Sequence, residues 1–162
     1  MITPTYLAEA YARNVQIIKQ QTEGLSQADS LVQLPFRANC MNWIVGHIVT
    51  NRHNVLKLLS GQFPPEAERV ARYVRESQPV LCEEQGVLSL VELLDLLDQG
   101  QVQIAARLVE ITPPELERSV AFFGGRAISV SEWLLFFYFH DTYHTGQAEI
   151  LRQAAGKDDK II

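Results

Sequence analysis

Residues 129–156 read SVSEWLLFFYFHDTYHTGQAEILRQAAG, and this stretch decides the fold. Ser129 and Glu132 stand three apart as a capping box, which starts a helix by satisfying its first free N–H groups. No proline interrupts the run before Gly156, so a helix from Ser129 to about Ala154 is expected. Trp133, Phe137, His140, His144, Gln147 and Leu151 recur at steps of three and four and share one face. Leu134, Phe136, Tyr138 and Phe139 cover much of the remainder. A helix that is apolar nearly all round is buried on more than one side. Other helices of the same chain, or a second copy, must supply that cover.

Three further stretches carry helical periodicity. The first runs from about Thr3 to Gln21, with Thr3 as cap and Pro4 at the first helical position. Leu7, Ala10, Tyr11, Asn14, Ile17, Ile18 and Gln21 form its inner face. The second runs from about Ala38 to Ser60 and stops at Gly61, a residue suited to a left-handed cap. Trp43, Ile44, His47, Ile48, Asn51, Val55, Leu58 and Leu59 recur along it. The third begins at Ser89, which makes a capping box with Glu92. Its stripe of Leu90, Leu94, Leu97, Gln101, Ile104, Leu108 and Ile111 has the spacing of a bundle seam. Pro113 and Pro114 close it. The chain is therefore expected to be all-α, a four-helix bundle.

The connections refine this. Residues 62–88 separate the second and third helices and hold Pro64, Pro65, Pro79 and a possible short helix over residues 66–73. Crossing a helix of about 30 Å takes only roughly ten extended residues. The segment is long enough for an end-to-end crossover, so helices two and three can run parallel. Residues 119–130 place two short apolar runs around Gly124-Gly125, the pattern of a small hairpin or tight turn.

Composition bounds the function. A chain of 162 residues fits one domain, taken here as residues 1–162. It is 47% hydrophobic and 20% charged, with a formal net charge of -5. Only 14 lysines and arginines are present, and they are scattered. A protein that grips nucleic acid needs a basic face to neutralise phosphates, so a nucleic-acid partner is not expected. No apolar run reaches the length of a membrane span, and the first residues lack a signal-peptide pattern. Cys40 and Cys82 show no metal or disulfide framework. They read as reduced thiols in the cytoplasm.

The chemistry-bearing residues are the histidines, of which there are four. His140 and His144 lie at i and i+4, which puts both rings on one helix face with Cβ atoms about 6 Å apart. One metal ion can take a nitrogen from each at about 2.0–2.1 Å. A third ligand must come from another helix. His47 lies on the apolar face of the second helix at similar depth. His53 stands about 120° round that helix from His47. Flanked by Arg52 and Asn54, it is expected at the surface or between helices. Asp141 points about 100° away from His140 and is expected to face solvent or a neighbouring helix. Gln147, one turn after His144, and Asn51, one turn after His47, are candidates to line a pocket. Gln101 and Asn14 interrupt the stripes of helices three and one. They can belong to the same polar layer, or simply pair with each other and fix helix register.

From spacing alone, metal binding stands beside a plainer alternative, satisfied histidines in a helical interaction protein. A closed coordination shell would instead mark a non-catalytic metal-binding or stress-response module. Taken together, Trp43-Ile-Val-Gly-His47 and His140-Asp-Thr-Tyr-His144-Thr-Gly146-Gln147 resemble the DinB/YfiT-like superfamily over roughly residues 3–156. The resemblance implies an up-down-down-up bundle with a long crossover between helices two and three. It implies that His47, His140 and His144 hold a divalent metal, zinc or nickel. Many members are homodimers, and some transfer or isomerise small molecules with a low-molecular-weight thiol. The expected activity is therefore metal-dependent, hydrolytic or thiol-transferring, on a small-molecule substrate.

Overall fold

A computed structural model describes residues 3–161. Four long helices dominate it: α1 (Pro4–Thr22), α3 (Met41–Ser60), α4 (Leu90–Glu110) and α6 (Val130–Ala154). Between them lie short helices α2 (Gln27–Ser30) and α5 (Pro113–Glu117) and a 3-10 segment, Pro65–Tyr73. Strands β1 (Ser119–Ala121) and β2 (Ala127–Ser129) pair antiparallel, Ser119 opposite Ser129. The chain is all-α apart from this hairpin. Thr3, Ser89 and Ser129 cap α1, α4 and α6 with their side chains as their sequence positions suggest. The second helix starts three residues later than its pattern suggested, after Cys40, which contributes no side-chain cap. Pro113 and Pro114 do more than end α4. Proline fits a first helical turn, and they open α5 behind a Thr112–Glu115 capping box.

Hydrogen bonds fix which helices run together. Tyr11 bonds to the Leu134 carbonyl near the starts of α1 and α6, and Arg152 bonds to the Gln21 carbonyl near their ends. Those two helices are parallel. Along α3 and α4, Asn42 reaches Leu88 at the beginning and Arg107 reaches Leu59 at the end, so they are parallel as well. Lys19 pairs with Asp98 while Gln101 reaches back to Ala8, which sets α4 against α1. His47 meets residues 140 and 144, and Arg52 meets Asp141, which sets α3 against α6. The directions follow the order up, down, down, up.

The apolar interior forms two clusters. One gathers Val15, Ile18, Ile44, Ile48, Leu93, Leu97 and Leu151. The other gathers Leu7, Tyr11, Val55, Ile104, Leu108, Leu134 and Phe137. Between them runs a polar layer built on Arg52. Its Nε donates to Asp141, one terminal nitrogen to the Gln101 side chain and the other to the Tyr11 carbonyl, at 2.8–3.0 Å. Arg52 and Asp141 are each 1% exposed. Asn14 joins the layer through Thr142. Arg52, a charged flank that made solvent plausible for His53, is itself fully covered, because a carboxylate and two carbonyl oxygens meet its donors. The α4 seam also differs from the expected stripe, with Leu93, Leu96 and Gly100 buried alongside Leu90, Leu97, Ile104 and Leu108.

Replacing one partner of a buried ion pair strands the other charge, at about 3–5 kcal/mol. Arg52→Met should therefore lower unfolding stability by that order in urea titration. The double variant with Asp141→Leu should recover most of the loss, because the stranded carboxylate is gone.

Candidate metal centre

α3 presents His47 from its second turn, with Trp43 one turn earlier stacked on the imidazole at 4.5 Å between ring centres. The His47 Nδ1 lies 2.8 Å from the Tyr73 carbonyl. A carbonyl oxygen only accepts, so Nδ1 carries the proton and Nε2 keeps its lone pair. The approach of Tyr73 depends on Gly46. A Cβ built at residue 46 would stand 2.4 Å from the Tyr73 ring. Thr50 adds a bond to the Val70 carbonyl, so the 3-10 segment is fastened along α3.

α6 presents the other two imidazoles. His144 Nδ1 lies 2.7 Å from the Gln147 side-chain oxygen, an arrangement that leaves Nε2 free as in His47. The three Nε2 atoms converge. His140 Nε2 is 3.3 Å from that of His47 and 3.2 Å from that of His144. Ligand atoms at about 2.0–2.1 Å from one ion sit roughly 3.0–3.4 Å apart, so the observed separations fit a shared divalent cation. His47, His140 and His144 form a group of potential ligands whose ligating atoms all lie within 4.8 Å of one another. His140 Nδ1 is buried without a hydrogen-bond partner among the described residues. Hydrogen bonds can satisfy the cluster in another way. The Asn51 amide nitrogen stands 3.2 Å from His47 Nε2, and a single His140 proton can serve His144. The tight convergence of all three nitrogens is what favours a cation.

Electrostatics agree with that fit. Burial pushes the His140 imidazole down to about 4, helped by His144 and His47. Burial also pushes His144 down to about 4, with His47 adding to it. His47 is lowered by burial as well, against the opposing pull of the Tyr73 carbonyl. All three rings are neutral at pH 7, the form that ligates a metal.

A cavity of about 1070 Å³ opens beside the cluster. His47 and His140 mark one end of its wall, and Leu58, Gly61 and Phe63 the other. Trp133, Phe136 and Phe137 line the α6 side, and Val70, Ala71 and Val74 the side of the 3-10 segment. Val120 of the hairpin helps to line it.

The residues expected around the site divide. His47, His140, His144, Gln147 and Asn51 come together. Gln101 and Asn14 do not bond to the imidazoles. Gln101 holds Arg52 and the Ala8 carbonyl, and Asn14 holds Thr142. Of the two settings expected for Asp141, the structure has the neighbouring helix, where Arg52 of α3 binds it; burial pushes its carboxyl up to about 6 against the pull of Arg52. Of the two places expected for His53, the surface is excluded: it is 4% exposed and lines the cavity. The Tyr73 carbonyl was missed. Its one sequence signal was a glycine inside an otherwise apolar helix, where glycine costs about 1 kcal/mol against alanine and so needs a packing reason.

A family model described as DinB superfamily matches residues 10–148. One solved structure, the crystal structure of a conserved protein of locus from Enterococcus faecalis, has a TM-score of 0.75. The likeness covers 96% of this chain and 98% of that one at 13% identity, and shows the fold alone. No curated protein matches the chain. No helix among the described residues is long and apolar enough to cross a membrane.

The pKa shifts give a pH signature for the metal-free protein. His140 and His144 are depressed in the fold, so the unfolded chain takes up protons first as pH falls from about 6.5. Their stabilisation is present above that value and is lost toward pH 4. Asp141, raised to about 6, works in the opposite sense between pH 6 and 4. Two depressed imidazoles outweigh one raised carboxyl. The melting temperature of chelator-treated protein should fall between pH 6.5 and 4.5, and zinc should raise it more at pH 7 than at pH 5.

Proposed function

The chain belongs to the DinB superfamily, and on that premise we propose that it is a metal-dependent enzyme acting on a small molecule. His47, His140 and His144 are its ligands for one zinc or nickel ion, and the reaction is hydrolysis or transfer of a thiol. The observation that carries this reading is three imidazole nitrogens converging at the wall of a large, mainly apolar cavity. Bound there, a divalent ion supplies Lewis acidity and makes water or a thiol a nucleophile near neutral pH.

The protein's own groups prepare that chemistry. The Tyr73 carbonyl and the Gln147 amide oxygen fix the proton positions of His47 and His144 and hold the rings in place. Such outer partners keep ligands oriented and raise their basicity. The Asn51 amide, anchored on the His47 carbonyl at 2.8 Å, keeps an N–H beside the ring nitrogens. It is suited to donate to a polar atom of a bound substrate. The aromatic wall lowers the polarity around the cluster and strengthens these polar contacts. The volume is ample for an electrophile together with a low-molecular-weight thiol. Three imidazoles, with no fourth side chain in the group among the described residues, favour an open, catalytic site over a closed structural one. The setting we assign is the cytoplasm, in keeping with free Cys40 and Cys82.

A second copy of the chain is the expected partner. Leu135, Phe139, Tyr143 and Ile150 are exposed at helical spacing along α6, a stripe that favours association. Sedimentation at micromolar concentration should give a dimer, and Phe139→Glu should give a monomer.

Purified protein should hold one zinc or nickel ion per chain by elemental analysis. His140→Ala should lose it while keeping its helical circular dichroism. Hydrolysis of activated esters or transfer of a thiol should depend on the ion and vanish in the same variant. Full metal content in His140→Ala would refute the assigned ligands.

A further inference from the structure

Outside the three-histidine cluster, His53 is a polar side chain of the cavity with a buried ring nitrogen that the protein leaves without a partner. Several polar neighbours on the wall are engaged. Thr50 bonds to the Gly46 and Val70 carbonyls, Asn51 bonds to His47, and Arg118 bonds to the Leu58 carbonyl. Lys57 lies over the Phe63 ring at 4.3 Å. His53 is 4% exposed and lines the cavity, yet its Nδ1 is buried without a hydrogen-bond partner among the described residues. A buried polar group without a partner destabilises a fold, and a leucine or phenylalanine here would avoid that. The wall of the cavity is mainly apolar, so size and shape do not require an imidazole.

We propose that His53 is the hydrogen-bonding contact for a neutral polar group, a hydroxyl, phenol or amide, on an otherwise apolar or aromatic ligand. Six residues along α3 separate His53 from His47, about 9 Å at the helical rise. The ligand then reaches from the three-histidine cluster to His53 with its body against Trp133, Phe136 and Phe137. A neutral group suits the surroundings. Glu66 lies close enough to influence the ring, Glu68 lines the same cavity, and burial holds the imidazole neutral. A carboxylate in that place would meet two acids, whereas a hydroxyl can donate to or accept from a neutral ring. This deepens the enzymatic reading above, and rests on it only for which end of the ligand reacts.

The test compares 2-naphthol with naphthalene by calorimetric titration of the full chain, with and without zinc. Wild-type protein should bind 2-naphthol at least tenfold more tightly. His53→Phe should lose that preference while keeping naphthalene affinity and zinc stoichiometry. His53→Gln, which keeps a donor and an acceptor, should retain part of it and serves if the phenylalanine variant does not fold. The preference should survive in His140→Ala, which separates a His53 contact from phenolate binding at the metal. Equal affinity for the two probes, an unchanged preference in His53→Phe, or a preference lost in His140→Ala would each overturn the proposal. Failure of wild-type protein to bind zinc would overturn the metal reading alone.

Discussion

The buried pair of Arg52 and Asp141 sets the register of α3 against α6, and the three-histidine cluster follows from that register. In an antiparallel pair, fixing one contact fixes all the others. With residue 52 opposite 141, residue 47 falls within a turn of His144, and the imidazole of His140 reaches it from one turn further back. Leucine and isoleucine layers do not specify register so strictly, since apolar contacts re-form after a shift of one turn. The Arg52 donors have no such freedom. Their acceptors come from α1, α4 and α6 at once, and a slip in any helix leaves a buried donor or carboxylate unmatched. A well-packed apolar layer of the same volume could be as stable or more so. What the ion pair adds is a single alignment, and the site needs ring nitrogens placed to within tenths of an ångström.

A second constraint acts on the long crossover. Gly46 admits the Tyr73 ring where any side chain would collide. The Tyr73 hydroxyl meets the Asn42 side chain, and its carbonyl meets His47. One residue thus anchors the 3-10 segment, whose Val70 and Ala71 line the cavity, and orients a candidate ligand. The segment between helices two and three is in this sense part of the site and not merely a connection. Its length, generous for a crossover, is explained by the wall it builds.

Local signals carried the helices, and long-range pairing carried what local signals missed. Capping boxes at Ser89 and Ser129 and the left-handed stop at Gly61 are written in a few adjacent residues, so their ends were legible. The i, i+4 pair His140 and His144 was legible for the same reason, and His47 was a fair inference from depth along its helix. Arg52 and His53 misled because charge and polarity suggest solvent. Their burial depends on Asp141, 89 positions away, and on a 3-10 segment that lies some twenty residues further along the chain and is fastened to α3. Gln101 and Asn14 were rightly suspect as polar residues in apolar stripes. Spacing could not say whether they serve the histidines or Arg52, because either partner satisfies the same donors.

Separating the two polar systems lets each meet a different requirement. The Arg52 layer must stay charged, and it is sealed from water with nearly every donor and acceptor met. The histidine cluster must stay neutral and reachable, and it lies at the wall of a cavity, where partial burial suppresses protonation without closing access. A carboxylate such as Asp141 moved among the imidazoles would raise their proton affinity and compete with a cation for the ring nitrogens. Holding that carboxylate on Arg52, facing away from the adjacent His140, keeps its charge out of the cluster. The same polar layer that aligns the helices therefore also leaves the three ring nitrogens free for a cation.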